Sequence, residues 1–203
     1  MPSSPGLQRL FVAIDPSPEA IADLGAVVDS LEVSRANAPG HSTRLTRRDG
    51  WHVPLAFLGD VPVDRVPGAV AVLESAGARA EPVRLRFAGG GTFGRGRHAI
   101  LWAGLDGDVP TMRSLGGALR RGLRKARLPV DEKPLRPHLT ISRPGARVAP
   151  EQIAADVATL SRYVGPMWMV DTMHLMLSET ERTHSGPVPR YTSIASVRLG
   201  PPD

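Results

Sequence analysis

Two short stretches decide how this chain reads: WHVPLAFLG at residues 51–59 and PHLTISRPG at residues 137–145. Each sets a histidine at the head of an apolar run, His52-Val53-Pro54-Leu55 in one and His138-Leu139-Thr140-Ile141 in the other. Side chains alternate faces along a strand, so His138 shares a face with Thr140, and His52 with Pro54. The two histidines are 86 positions apart.

The same order of elements surrounds both. RLFVAI at residues 9–14 is a strand-like apolar run. Ser17-Pro18-Glu19 has the makings of a helix start: a capping hydroxyl, a proline for the first helical position and a carboxylate for the dipole. Ile21, Leu24, Val28 and Leu31 then recur at helical spacing. Beyond the first histidine strand, residues 64–76 read as a helix and PVRLRFAG at 82–89 as an alternating strand. In the second half, AILWAGL at 99–105 is a strand and Asp106-Gly107-Asp108 its turn. Met112, Leu115, Leu119 and Leu123 form the apolar stripe of a helix whose basic face is Arg120, Arg121, Arg124 and Lys125. After the second histidine strand, Pro150-Glu151 opens a helix with Ile153, Val157 and Leu160 inward, and MWMVDTMHLMLSE at 167–179 reads as one strand.

Strand, helix, histidine strand, helix, strand therefore occurs twice. The offset that superposes the histidines also lays VRLRF at 83–87 over MVDTM at 169–173. The pattern predicts one bilobal domain over residues 1–203, with internal pseudo-repeats at about 9–91 and 98–180 related by a pseudo-two-fold. Facing sheets would bring both histidines to one groove. AGGGTFGRGRH at 88–98 reads as a glycine-rich linker between the repeats, with no Lys-Ser/Thr to make it a phosphate loop. A C-terminal strand at about 190–199 is free to complete either sheet.

Composition narrows the chemistry. The chain has no cysteine, which excludes disulfides, thiolate catalysis and zinc–thiolate sites. It has no apolar run of membrane-spanning length and no signal-peptide pattern, so a cytoplasmic protein without a membrane partner is expected. Net charge is +5, which favours anionic partners. All but Lys125 and Lys133 of the basic residues are Arg, amid abundant Ala, Gly and Pro, so codon bias explains much of that charge. Arg nonetheless suits phosphate, because its planar fork binds two oxygens at once.

Two histidines flanking a phosphodiester supply a base and an acid for in-line displacement near neutral pH. Thr140 presents a hydroxyl beside His138, and Arg143 follows to stabilise charge on phosphoryl oxygens. No metal-ligand spacing such as His-x-His accompanies them, so no metal or other cofactor is expected. His41, His98, His174 and His184 lack mirrored partners. His174, in an apolar strand, is expected to be structural, and the other three to lie solvated in loops. Phe93 and Tyr191 are candidates to stack on a base.

These motifs resemble the 2H phosphoesterases, and within them the RNA 2′,3′-cyclic phosphodiesterases, also called 2′–5′ RNA ligases. The resemblance rests on RLFVAID, WHVPLAFLGDV, ILWAGLDGD, RPHLTISRP and PRYTSIASVRLG, which together span nearly the whole chain. It implies an α+β bilobal fold of two antiparallel sheets with outer helices and an active-site groove between them. It implies a monomer that hydrolyses 2′,3′-cyclic phosphate ends of RNA, or a related nucleotide, to 2′-phosphates without metal. Weak 2′–5′ ligation would follow from the same chemistry. By that analogy His138 is the general base, His52 the proton donor, and Thr140 and Arg143 bind the phosphate.

The departure is Pro54, where the family pattern has Thr or Ser. Proline has neither hydroxyl nor N–H to offer a phosphate oxygen, and in a strand it implies an edge or a bulge. Three readings follow: slower turnover with one threonine, substitution by Thr43, Arg44 or Thr46, or a groove retained as an RNA- or nucleotide-binding module. A small cyclic nucleotide or a 2′–5′ oligonucleotide is the alternative substrate.

Overall fold

The fold follows from how the two histidine strands are seated. In the computed structural model, which describes residues 6–35, 44–95, 99–143, 148–183 and 186–201, the elements run β1 (Leu7–Ile14), α1 (Pro18–Ser30), α2 (Glu32–Arg35), β2 (Val53–Pro62), α3 (Val66–Gly77), β3 (Val83–Phe93), β4 (Ile100–Gly107), α4 (Val109–Lys125), β5 (Leu139–Ser142), α5 (Pro150–Ser161), β6 (Trp168–Val170), β7 (Thr172–Thr183) and β8 (Gly186–Arg198). Two four-stranded antiparallel sheets result, ordered β2-β1-β7-β8 and β5-β4-β3-β6. We refer to them as the first and second sheets. Both histidine strands, β2 and β5, lie at sheet edges, each beside the opening strand of its half.

The two sheets have equivalent strand orders, but neither is built from one sequence repeat. β3, from the first half, lies in the second sheet, and β7, from the second half, lies in the first. The halves have exchanged their third strands. The run at 167–179, expected as one strand, divides at Asp171: β6 closes the second sheet and β7 enters the first. The C-terminal strand β8 pairs along β7 and completes the first sheet.

Residues 88–93 are not a linker but the end of β3. Gly90 and Gly91 are a packing requirement. A Cβ on Gly91 would meet the Trp102 ring at 2.8 Å, and one on Gly90 would meet the Trp102 carbonyl oxygen at 2.7 Å. Gly104 on β4 is similarly closed off, 2.6 Å from the Ala88 carbonyl oxygen.

The helices seat the sheets on one core. Ser17 caps α1 by accepting from the Ala20 N–H at 3.1 Å, with Pro18 at the first position. Met112, Leu115, Leu119 and Leu123 of α4 are all buried. Leu10, Val12 and Ile14 of β1, Leu85 and Phe87 of β3, and Leu139 and Ile141 of β5 join them in one cluster. Two residues of the basic face of α4 meet the following segment: Arg120 donates to the Lys133 carbonyl at 2.6 Å, and Arg124 pairs with Glu132 at 2.9 Å. Both contacts hold the segment that leads to His138. Among the described residues no helix is long and apolar enough to cross a membrane.

Candidate active site

The two histidine motifs carry the same defect in strand pairing. In the first sheet Val12 pairs with Ala56 and Ala13 with Pro54, leaving Leu55 as an extra residue. In the second, Leu101 pairs with Ser142 and Trp102 with Thr140, leaving Ile141 extra. Leu55 and Ile141 are each the third residue after a histidine, and both are buried. Such a bulge bends the strand and leaves one residue outside the ladder. Pro54 is therefore accommodated as its sequence demanded, on an edge strand and beside a bulge.

The two imidazoles are held alike. Nδ1 of His52 lies 2.8 Å from the Gly50 carbonyl oxygen, and Nδ1 of His138 lies 2.6 Å from that of Arg136. A carbonyl accepts only, so each Nδ1 carries the hydrogen and each neutral ring keeps its Nε2 lone pair for other work. An aromatic edge meets each ring: Tyr191 on His52 at 4.9 Å and 83°, Phe93 on His138 at 4.8 Å and 88°. Phe11 also leans on His52 at 4.8 Å, and Trp102 stacks on Phe93 at 5.2 Å. Phe93 and Tyr191, singled out for base stacking, are thus the neighbours of the histidines themselves.

Charge ties the two sides together. Burial lowers the pKa of His52; the Gly50 hydrogen bond and the Asp15 carboxylate oppose that shift, and the charge of His138 adds to it. Burial also lowers the pKa of His138, against the Arg136 hydrogen bond and with the nearby Arg143 guanidinium. Burial raises the Tyr191 phenol, and Arg143 opposes that rise. Arg143, just beyond β5, is therefore within electrostatic reach of both His138 and Tyr191. The chain itself links the motifs: Thr46 donates its N–H to Ile141 at 2.8 Å, Leu45 bridges to Ser142, and the chain then enters β2 through His52. Trp51 clamps this passage by donating Nε1–H to the Thr46 carbonyl at 3.0 Å.

Thr140 stands on β5 two residues after His138, on the same face. Arg143 is exposed just beyond the strand. Arg44 and Thr46, suggested as substitutes for the missing hydroxyl, lie on the segment beside β5 rather than beside Pro54. Thr43, His41, His98 and His184 lie outside the described residues. Beside His52 the first sheet forms an open hollow of about 280 Å³, lined in part by Arg9, Phe11, Phe57, Ser178 and Tyr191. Phe57 is 47% exposed there. Sequence reading missed Trp102 and Phe11, whose alternation with core residues was the available signal. His174, expected to be structural, is bonded to Ser196 at 2.9 Å and faces Asp15 at 3.5 Å, on the side of the sheet away from the main core.

A family model described as the 2′-5′ RNA ligase superfamily matches residues 16–182. The chain belongs to this superfamily. It is 32% identical over 161 residues to an RNA 2′,3′-cyclic phosphodiesterase of Geobacillus stearothermophilus. The match covers 76% of this chain and 48% of that protein, so the chain spans about half the length of this curated relative. E. coli LigT, solved in complex with 3′-AMP, superposes with a TM-score of 0.72 at 20% identity, covering 96% of this chain and 99% of that one. The TT0787 protein of Thermus thermophilus superposes with a TM-score of 0.70 at 25% identity, covering 94% and 97% of the two chains. The chain has the expected α+β fold of two antiparallel sheets, and these two solved structures are similar to it in fold.

Proposed function

We propose that this protein hydrolyses 2′,3′-cyclic phosphate ends of RNA to 2′-phosphates by proton transfer between two histidines. The observation that carries the proposal is the matched pair: each imidazole accompanies the same bulged edge strand and is anchored through Nδ1 on the carbonyl two residues earlier. The activity of the Geobacillus relative supports the choice of substrate.

In this reading Nε2 of His138 takes a proton from water as its oxygen attacks phosphorus. The bond from phosphorus to the 3′ oxygen breaks, and protonated His52 gives its proton to that oxygen. A 2′-phosphate and a 3′-hydroxyl result, and the two histidines end with exchanged protonation states. Thr140 and Arg143 donate to the phosphoryl oxygens as charge builds on them. Both proton transfers belong to side chains, so the step is assigned no metal.

The test is hydrolysis of an RNA oligomer ending in a 2′,3′-cyclic phosphate, in EDTA, with His52→Ala and His138→Ala beside the parent. Loss of turnover by about 10²-fold or more in each variant, with a 2′-phosphate product, is expected. A rate that either variant leaves intact contradicts the assignment. Equal kcat/KM on a mononucleoside cyclic phosphate would move the substrate from RNA to small cyclic nucleotides.

Pro54 favours a second reading, in which the groove binds RNA without turning it over. No hydrolysis by the parent, with salt-dependent RNA binding retained, would be its result.

A further inference from the structure

Strand pairing sets Pro54, Ala13, His174 and Ser196 side by side in one transverse row across the first sheet. The equivalent row of the second sheet is Thr140, Trp102 and Gly91. The two rows have opposite designs. In the second sheet the motif residue carries a hydroxyl, and a tryptophan ring fills the space above a glycine. In the first the motif residue is a proline without a donor, its neighbour is a methyl group, and the third position is an imidazole.

That imidazole is set to donate. Its Nδ1 lies 2.9 Å from the Ser196 hydroxyl and 3.4 Å from that of Ser193. Its Nε2 faces the Asp15 carboxylate at 3.5 Å, a charge contact too long for a good hydrogen bond. A carboxylate on that side favours hydrogen on Nε2, with Ser196 donating to Nδ1. This is the reverse of His52 and His138, whose hydrogens sit on Nδ1. Asp15 also shows which way the ring leans. It follows Ile14, which pairs with Val53, so the ring leans toward β1, at the end where β1 lies beside the first histidine strand.

We propose that His174, held by Ser196, donates Nε2–H to the phosphoryl oxygen that Pro54 leaves without a donor. A phosphoryl group seated over the Ala13 methyl has Pro54 on one side and His174 on the other, each one strand away, at roughly 5 Å spacing. Asp15 is half exposed and only 3.5 Å from Nε2, free to turn to solvent when the phosphoryl oxygen takes its place. The inference rests on the cyclic phosphodiesterase reading for its reaction but not for its phosphate.

The experiment is a double-mutant cycle of His174→Ala and Pro54→Thr, read as kcat/KM on the cyclic-phosphate oligomer. Loss of one such donor is worth about 10²-fold. The expected result is a loss of that order for His174→Ala alone, and one at least fivefold smaller in the Pro54→Thr background, where a hydroxyl is supplied. A ratio of the two losses below fivefold overturns the proposal. His174→Gln, which keeps an N–H donor, is expected to outperform His174→Ala; equal damage by both overturns the donor role. Should His174→Ala lack a native melting transition, Ser196→Ala on the outer strand is scored by the same ratio. A parent without turnover defeats the hydrolase reading alone. The cycle is then read as affinity for adenosine 2′-phosphate by titration. Fivefold or greater weakening by His174→Ala supports the phosphate subsite, and less overturns it.

Discussion

Pro54 and Thr140 stand at the same point of two equivalent bulges, each two residues after a histidine and one before the extra residue of its edge strand. One carries a hydroxyl and the other does not. Pro54→Thr is therefore expected to raise kcat/KM about tenfold on a cyclic-phosphate oligomer, part of the effect of a full oxyanion donor. Pro54→Val restores the backbone N–H without a hydroxyl and is expected to stay near the parent rate. Steady-state kinetics of the three proteins decide it, and a Thr variant no faster than the Val variant removes the missing hydroxyl as the cause.

Both histidines have pKa values lowered from 6.5, chiefly by burial. The base must be neutral and the acid protonated, so kcat/KM gives a bell with one limb from each. Both limbs are expected below pH 6.5, whichever histidine is the base. Removing the Arg143 charge eases protonation of His138, so Arg143→Ala should move one limb upward and leave the other nearly in place. A pH–rate profile from about 4.5 to 8.5 checks both statements. If both limbs move together, Arg143 is not acting through His138.

The same shifts set a stability trend. A histidine whose folded pKa lies below its unfolded value contributes fully above the unfolded value, and that contribution is lost as pH falls through the folded one. Thermal midpoints are expected to decline as pH drops below about 6.5, and the decline should be shallower in a protein carrying both His52→Gln and His138→Gln. Melting curves at fixed ionic strength across about pH 4.5–8 measure it, with parallel slopes the contrary result.

Tyr191 covers the His52 ring edge-on, and its removal lets water reach the imidazole. Tyr191→Ala should raise the His52 pKa toward 6.5, whereas Tyr191→Phe keeps the ring and most of the shift. NMR titration of the imidazole resonances reads this directly. An unmoved His52 titration in Tyr191→Ala would show that the burial comes from Phe11 instead.

Asp156 is 2% exposed and accepts the N–H groups of Glu32 and Val33 at 2.7 and 3.1 Å. It joins α5 to the short helix α2. Asp156→Ala removes the acceptor of both N–H groups and is expected to cost about 1–3 kcal/mol, with catalysis unchanged. Asp156→Asn keeps an acceptor and should cost less. Urea unfolding of the three proteins gives the comparison, and an Ala variant as stable as the parent would refute it.

Local chemistry made much of this protein legible in its sequence. Ser17 and Pro18 start a helix because a hydroxyl and a fixed φ suit that end, whatever packs above them. The stripe of Met112, Leu115, Leu119 and Leu123 must be buried wherever it lies. Pro54 excludes a central, unbulged strand because it lacks an N–H. The pair of histidine motifs is a matter of spacing alone. Partnership was decided by the tertiary structure. Nothing within β3 or β7 says which sheet each will join, because an apolar alternation pairs equally well with either, and the two have exchanged halves. Gly90 and Gly91 look like part of a linker until Trp102 lies across them. His174 looks like a core residue until register turns it toward Asp15 and Ser196. Strand register and sheet order depend on long-range contacts that a local pattern does not encode, and they put His52 and His138, 86 positions apart in sequence, within electrostatic reach of each other.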